Sequence, residues 1–244
     1  VLFIGGAFAE YSVVNAAMLA KVKEASKEAV ALRVSGTTGW GAVMSGGKAQ
    51  KRQVVLVTAG AGAAGSFAVQ YAKKAGCEVV ATTSSKEKAV ALCKLGCDQI
   101  INYKTRDVDE ALKSKYPEGV DLVIEHVGGK MLQTAINNCK KGGKVIIVGY
   151  ISQYPHNPES ERDGTMLDLS KLMWKRGVQD VNGVTVSGAI YDSMDDVRKG
   201  AKLVVDDFER GELKSLVDAR EFKGLESIPD AIEHMLSGTT IGKV

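Results

Sequence analysis

Residues 54–65 read Val54-Val55-Leu56-Val57-Thr58-Ala59-Gly60-Ala61-Gly62-Ala63-Ala64-Gly65, and the fold turns on them. The first residues are a continuous apolar, β-branched run, the pattern of a strand buried on both faces. Glycines at 60, 62 and 65 give the spacing G-x-G-x-x-G. Phe67, Ala68, Tyr71, Ala72 and Ala75 then recur at helical spacing as one apolar stripe. The glycine spacing alone is weak; it gains meaning by joining a buried strand to an amphipathic helix. In that setting Gly60 permits the tight turn, Gly62 lets a pyrophosphate approach a backbone without Cβ, and Gly65 allows close helix–strand packing. The helix start offers the N–H groups of Ala63, Ala64 and Gly65, and a partial positive charge, to a phosphate.

The same alternation continues outward. Strands are expected over Glu78–Thr83, Gln99–Tyr103, Val120–Glu125 and Lys144–Val148. Between them lie a helix over Lys86–Leu95, capped by Ser84 or Ser85 and stopped at Gly96, a second with Val108, Ala111 and Leu112 on one side, and a third carrying Met131, Leu132, Ala135, Ile136 and Cys139. Strand–helix alternation at this spacing predicts an α/β fold, a doubly wound parallel sheet of Rossmann type. The flanks differ. Residues 8–14 look like a strand followed by a helix, and 151–165 like a long polar loop. A helix is expected near Leu167–Arg176, a strand over Val184–Val186, and a last helix with Ile228, Ala231, Ile232 and Met235 on one face.

Composition narrows the function. The chain has 244 residues, 45% hydrophobic and 25% charged, with a net charge of +3. That charge is too mild and too scattered for a nucleic-acid or membrane-binding face, and no apolar run approaches about 20 residues. The four cysteines form no C-x-x-C pair and read as reduced thiols of a reducing intracellular compartment, such as the cytoplasm. Both termini read like the interior of a longer protein.

The end of the second strand speaks to the cofactor. An NAD site places an acidic residue about 20 positions past the first glycine, on the ribose hydroxyls. Here the sequence is Thr82-Thr83-Ser84-Ser85-Lys86-Glu87-Lys88. Hydroxyls and lysines suit a dianionic 2′-phosphate, so NADP(H) is the expected cofactor, with Ser84 and Lys88 as contacts. Helix capping by Ser84 and a solvated Lys88 are the structural alternatives.

Several further motifs carry a resemblance: Gly6-Ala7-Phe8-Ala9-Glu10-Tyr11, Ser35-Gly36-Thr37-Thr38-Gly39-Trp40, Leu95-Gly96-Cys97-Asp98, Ile101-Asn102-Tyr103, Glu125-His126-Val127-Gly128-Gly129 and Gly224-Leu225-Glu226. Taken in order with the glycine loop, they resemble medium-chain dehydrogenases/reductases, in the zinc-independent quinone oxidoreductase (zeta-crystallin-like) and prostaglandin reductase 3-like branch. The resemblance implies that Lys88 and Tyr103 contact the 2′-phosphate and adenosine ribose. It implies that Thr38 and the Val127-Gly128 backbone lie near the nicotinamide, and that Asn182-Gly183-Val184 bonds its carboxamide. It also implies a domain plan. Residues 1–35 would be the end of a GroES-like β-barrel catalytic domain whose remainder is absent, 36–187 the dinucleotide-binding domain, and 188–244 a segment returning to the barrel. Zinc-dependent members carry a Cys just before the Ser35-Gly36-Thr37 motif; Val34 stands there, so no metal is expected. His126 occupies a position where Ser, Asn or Thr is usual and reads as a packing or phosphate-side variant rather than a base.

The function expected is NADPH-dependent hydride transfer to a quinone or α,β-unsaturated ketone, a small hydrophobic electrophile, by a homodimer. Negative charge developing on the carbonyl oxygen calls for a hydrogen-bond donor. Tyr154 is the candidate and Tyr150 a weaker one; covering a sheet edge is the alternative role for Tyr154. No Tyr has Lys four residues on, which excludes the short-chain reductase pair. Two alternatives stand beside this reading: a non-catalytic, crystallin-like NADPH-binding or interaction protein, and an enoyl-reductase module of a larger synthase.

Overall fold

The computed structural model describes residues 8–16, 19–154, 172 and 177–244. Its centre is β1 (Val54–Val57), flanked by β2 (Glu78–Thr83) and β4 (Val120–Glu125), both parallel to it. β3 (Gln99–Asn102) extends the sheet beyond β2, and β5 (Cys139–Ile147) extends it beyond β4. β6 (Val178–Val181) and β7 (Val184–Ser187) form an antiparallel hairpin, with β7 parallel to β5, giving the order β3-β2-β1-β4-β5-β7-β6. After β3 the chain crosses back to the other side of β1. The carboxyl ends of β1 and β4 therefore bound the crevice where such sheets bind ligands.

The alternate residues of each strand explain the two layers. Val55, Val57, Val79, Ala81, Leu122, Ile124 and Ile146 belong to one buried cluster with Phe67, Ala68 and Tyr71 of α3 (Ala63–Lys74) and Leu92 of α4 (Lys86–Lys94). Leu56, Val80, Val123, Val145 and Ile147 point the other way, onto α5 (Val108–Lys115) and α6 (Gly129–Asn137). Both faces are covered, which is why the strands read as unbroken apolar runs.

A continuous helical segment over 27–46 lies across the first layer. It comprises α1 (Lys27–Ala31) and α2 (Thr37–Trp40), separated and followed by π-helical turns at Leu32–Gly36 and Gly41–Gly46. It meets α7 (Met194–Glu209), whose Val204 and Val205 join the same core; a Cβ on Gly200 would run into the Trp40 ring. α7, expected in a segment returning to another domain, packs against this helical segment and, through Asp207, bonds Tyr71 of α3.

Other expectations shift. Residues 8–14 form no strand, and Phe8, Tyr11 and Val13 are exposed. Cys139 begins β5 rather than ending α6. The hairpin strand β6 was not expected. The helix near Leu167–Arg176 and the loop beyond Tyr154 fall largely outside the described residues. The last helix, α8 (Ile228–Leu236), forms where its periodicity placed it, yet Ile232 and Met235 face solvent.

Candidate functional site

The turn between β1 and α3 is tied to its neighbours by the backbone. Thr58 N donates to Ile124 O at 3.0 Å, Ala59 N to Thr82 Oγ1 at 3.1 Å, and Gly60 N to Thr82 O at 3.1 Å. Ala59 bears the positive φ of the turn, at 48°, without being glycine. The three glycines then separate by role. A Cβ on Gly60 would lie 2.7 Å from Ala81 Cβ, and one on Gly65 would collide with the Ala59 carbonyl. A Cβ on Gly62 would meet only Ala59 O, at 3.2 Å, and Gly62 has an ordinary φ of −75°. Space above Gly62 is therefore left open on the side away from the protein.

Gly62 is the N-cap of α3 and supplies no side-chain cap. Among the described residues no acceptor faces the N–H groups of Ala63, Ala64 and Gly65. These are the orphan donors of a helix start, with the positive end of the helix dipole behind them. Gly39, next to Thr38 in the chain, lies against the start of α3: its absent Cβ would fall 2.7 Å from Phe67 Cβ and 2.9 Å from Ala64 O.

At the end of β2 the capping question resolves. Ser85 caps α4, accepting from Lys88 N at 3.3 Å, which leaves Ser84 free of that duty. Lys88 Nζ turns back to Ser84 Oγ at 3.2 Å and to the carbonyl of Gly238. Burial holds the Lys88 ammonium below its usual pKa, partly offset by Asp218. Tyr103 N bonds Thr83 O at 3.0 Å, so Tyr103 stands beside this group with its ring partly exposed. Thr83 Oγ1 is buried without a partner among the described residues, and the exposed Glu87 carboxylate bonds back to Ser85. The Ser84 hydroxyl and the Lys88 ammonium thus meet beside the Tyr103 backbone at a strand that ends in hydroxyl residues, with Glu87 bonded to Ser85 and Asp218 acting on Lys88 from outside the strand.

Across the switch point, Glu125 ends β4 with no solvent exposure. Its Oε1 accepts from Thr58 Oγ1 at 3.1 Å and from Val127 N at 2.9 Å, and its Oε2 accepts from Gly128 N at 2.9 Å. Burial pushes its pKa up to about 7, against these bonds. His126 bonds Thr58 O through Nδ1 at 3.0 Å, which makes Nδ1 the protonated nitrogen. Burial lowers its pKa to about 4, so it is neutral, and Nε2 is left buried with no partner among the described residues. The chain then turns at Gly128 and Gly129, with φ of 79° and 52°. Val127 O receives Ser152 N at 3.0 Å and Ser152 Oγ at 2.6 Å, which seats the short helical turn Ile151–Gln153 and Tyr154 after it. The Tyr154 ring meets Tyr150 edge-on at 5.4 Å.

The residues at 38, 60–65, 84, 88, 103, 127 and 128 therefore gather at the carboxyl end of the sheet, with Tyr154 on the turn beside Val127. Asn182, Gly183 and Val184 do not. Asn182 and Gly183, with φ of 56° and 86°, form the tight turn between β6 and β7, and Gly183 O accepts from Gly142 N at 2.7 Å. Because β7 runs parallel to β5, that turn lies at the opposite, amino end of the sheet. The expected carboxamide contact at Asn182-Gly183-Val184 is incompatible with this placement; Ser187 is the β7 residue at the correct end. Sequence reasoning also missed Glu125, Thr82 and the chain end, where Gly242 N bonds Ala61 O at 2.8 Å and lies along the glycine loop.

This arrangement matches known proteins. The family model for zinc-binding dehydrogenases covers residues 63–205. Prostaglandin reductase-3 of Mus musculus is 36% identical over 248 residues, 98% of this chain and 63% of its own length. The chain belongs to the medium-chain dehydrogenase/reductase family. Another relative, a probable quinone oxidoreductase of Leishmania amazonensis, is 36% identical over 249 residues, all of this chain and 71% of its own length. CurA of Vibrio vulnificus, solved in complex with NADPH, superposes with a TM-score of 0.70 at 26% identity, over 91% of this chain and 65% of that one. This medium-chain chain thus spans about two thirds of the length of such relatives. Among its described residues no three His, Cys, Asp or Glu side chains converge as a metal site, and no helix is long and apolar enough to cross a membrane.

Proposed function

We propose that the crevice binds NADPH and serves the reduction of an enone or quinone. The observation that carries the cofactor choice is the end of β2, where Lys88 bonds Ser84 beside Tyr103 and the strand itself ends in Thr82-Thr83, followed by Ser84, rather than in an acid. A 2′-phosphate there would take the donors of Lys88 and Ser84 in charge-assisted bonds. The pyrophosphate would lie over Gly62 on the N–H groups of Ala63, Ala64 and Gly65. The remaining half of the nucleotide would then cross the switch point toward Val127, Gly128 and Thr38, with Ser187 rather than Asn182 at the carboxamide end. Relatives named prostaglandin reductase and quinone oxidoreductase, and a related structure holding NADPH, support this reading.

When bound, the nicotinamide supplies a hydride to an electrophilic carbon. The protein's part is to orient the ring and to stabilise charge on the substrate oxygen. Tyr154, beside the Val127–Gly128 loop and 38% exposed, is the donor proposed for that oxygen. No general base is required, which fits a neutral His126 whose Nδ1 is committed to Thr58. The substrate is a small hydrophobic electrophile. For the homodimer, the strand at Val184 is already paired on both sides, by β5 and β6, so on this side of the sheet the edge open to a second copy is β6, with Val178 exposed.

The test follows loss of NADPH absorbance with a panel of 2-alkenals, cyclic enones and quinones. Turnover of an enone or quinone with NADPH, and little with NADH, is expected. Tight NADPH binding with no turnover across the panel would favour a non-catalytic binding protein.

A further inference from the structure

Resting on the proposed NADPH site, we infer that Glu125 is a positioning residue whose ionised carboxylate holds the Val127–Gly128 loop in the shape that receives the nicotinamide half of the nucleotide. Three observations converge on it. Glu125 is fully buried at the end of β4, on the crevice side of the switch point, where an acidic residue contributes nothing to packing that Leu would not. Its two oxygens accept from two consecutive backbone N–H groups of the loop and from Thr58 at the end of β1, so one side chain joins both walls of the crevice. The loop depends on such anchors. Gly128 and Gly129 have positive φ, and beside Glu125 the loop is tied by His126 N to Thr58 Oγ1 at 2.8 Å and by Val127 O to Ser152, but neither of these takes the N–H groups of Val127 and Gly128.

The ionised form holds the loop best. A carboxylate accepts all three bonds with charge assistance; in a protonated carboxyl the hydrogen either faces a loop N–H or turns to Thr58 Oγ1, and either way the bonds from Val127 N and Gly128 N lose that assistance. Protonation therefore weakens the hold on the loop. Glu125 also has no countercharge. Among the described residues the groups acting on it are Thr58 from β1 and the Val127 and Gly128 N–H groups from the loop; no charged side chain of β1, β5 or the flanking helices contributes. Its titratable neighbour, His126, is neutral and bonded to Thr58 O. Protonation in the neutral range follows from burial, and the loop's shape follows from protonation. Through Val127 O and Ser152 the same state reaches Tyr154.

The probe is a pair of nucleotides, NADP+ and adenosine 2′-monophosphate, which share the 2′-phosphate as their one titrating phosphate. Both fill the adenosine end, and only NADP+ reaches the Glu125 loop. Titration of the 2′-phosphate affects both and cancels in the ratio of their affinities. For the wild-type chain that ratio is expected to fall by about tenfold from pH 8.5 to 5.5, the worth of the charge assistance lost from those bonds, with its midpoint near 7. In Glu125→Gln, whose amide accepts at one atom only, the ratio should rest near the low-pH value and be flat with pH. Unchanged binding of adenosine 2′-monophosphate would show that the variant is folded. A wild-type ratio independent of pH, or a Glu125→Gln ratio equal to that of the wild type at pH 8.5, would overturn the inference. Failure of the wild type to bind either nucleotide would instead overturn the NADPH reading. If Glu125→Gln does not fold, the wild-type pH profile alone decides.

Discussion

Adding one methyl group at Gly62 and at Gly65 separates ligand space from packing space within four residues. At Gly65 the new Cβ collides with the Ala59 carbonyl and lies 3.0 Å from Gly60 Cα, both backbone atoms that have no rotamer in which to retreat. Overpacking of that kind costs about 1–3 kcal/mol, a fall of roughly 2–12 °C in Tm for a chain of this size. At Gly62 the only atom met is Ala59 O, at 3.2 Å, and φ is −75°, so the backbone needs no left-handed freedom. Gly62→Ala should cost a few tenths to about 1 kcal/mol, mostly for an inferior N-cap. Its Cβ would nonetheless occupy the space over the helix start, and NADPH affinity should fall by about tenfold or more, ~1.4 kcal/mol. Thermal unfolding of both variants, with fluorescence titration of NADPH, measures the two quantities separately. A Gly62→Ala chain that binds NADPH as the wild type does would refute the placement of the pyrophosphate. One as unstable as Gly65→Ala would refute the distinction between the two glycines.

Three further outcomes follow from the site. Lys88→Ala should lose about tenfold in NADPH affinity and leave NADH almost unaffected, narrowing discrimination between the two; competition titrations read this, and a parallel loss for both nucleotides would place Lys88 outside the 2′-phosphate site. Tyr154→Phe should slow enone reduction about tenfold or more while changing NADPH affinity little, and steady-state kinetics showing an unchanged kcat would remove Tyr154 from the reaction. Glu125 should also tilt stability with pH. Its folded-state pKa, about 7 against an ordinary 4.5, lies above the unfolded value, so the folded chain holds the extra proton. Its contribution therefore favours folding at low pH and erodes as pH rises from about 4.5 through about 7, by about 3 kcal/mol in all. Comparing denaturation of the wild type and Glu125→Gln at pH 5 and 8 isolates this term. The gap should move in favour of the variant at pH 8, and a gap that does not change with pH contradicts the buried, uncompensated carboxylate.

The cost at Glu125 has a functional reading. A neutral side chain there would make a more stable sheet, but it could not accept from two loop N–H groups and Thr58 at once. A loop built on Gly128 and Gly129 has little intrinsic preference for one shape, so the shape has to be imposed from beneath.

What could be read in the sequence depended on periodicity. Strands 54–57, 78–83 and 120–125 are buried on both faces and announce themselves as largely apolar runs, while the edge strand 99–102 shows only its Ile100-Ile101 pair. Ser85 and Gly96 mark the ends of α4 by cap chemistry. Features set by tertiary contact were invisible. Gly39 looks like any helical glycine until α3 is laid against it, and Ala59 carries a turn conformation that composition assigns to glycine. Glu125 closes an otherwise apolar strand, and a buried acid at a strand end next to a Gly-Gly pair is the signal that could have found it. The error at Asn182-Gly183 arose from reading a motif without its direction. An Asn-Gly pair between two short β-rich runs is a hairpin turn, and a hairpin feeding a strand parallel to β5 must lie at the end of the sheet remote from the site. The apolar stripe of α8 predicted a helix correctly, but nothing in periodicity says whether that face is covered within the chain.

The central claim is a 2′-phosphate-selective nucleotide site built by Gly62, the start of α3 and the Ser84–Lys88–Tyr103 group. Parallel fluorescence titrations of the chain with NADPH and NADH test it most directly. The account predicts tighter binding of NADPH by about tenfold or more, ~1.4 kcal/mol; equal affinity for the two, or preference for NADH, would contradict it.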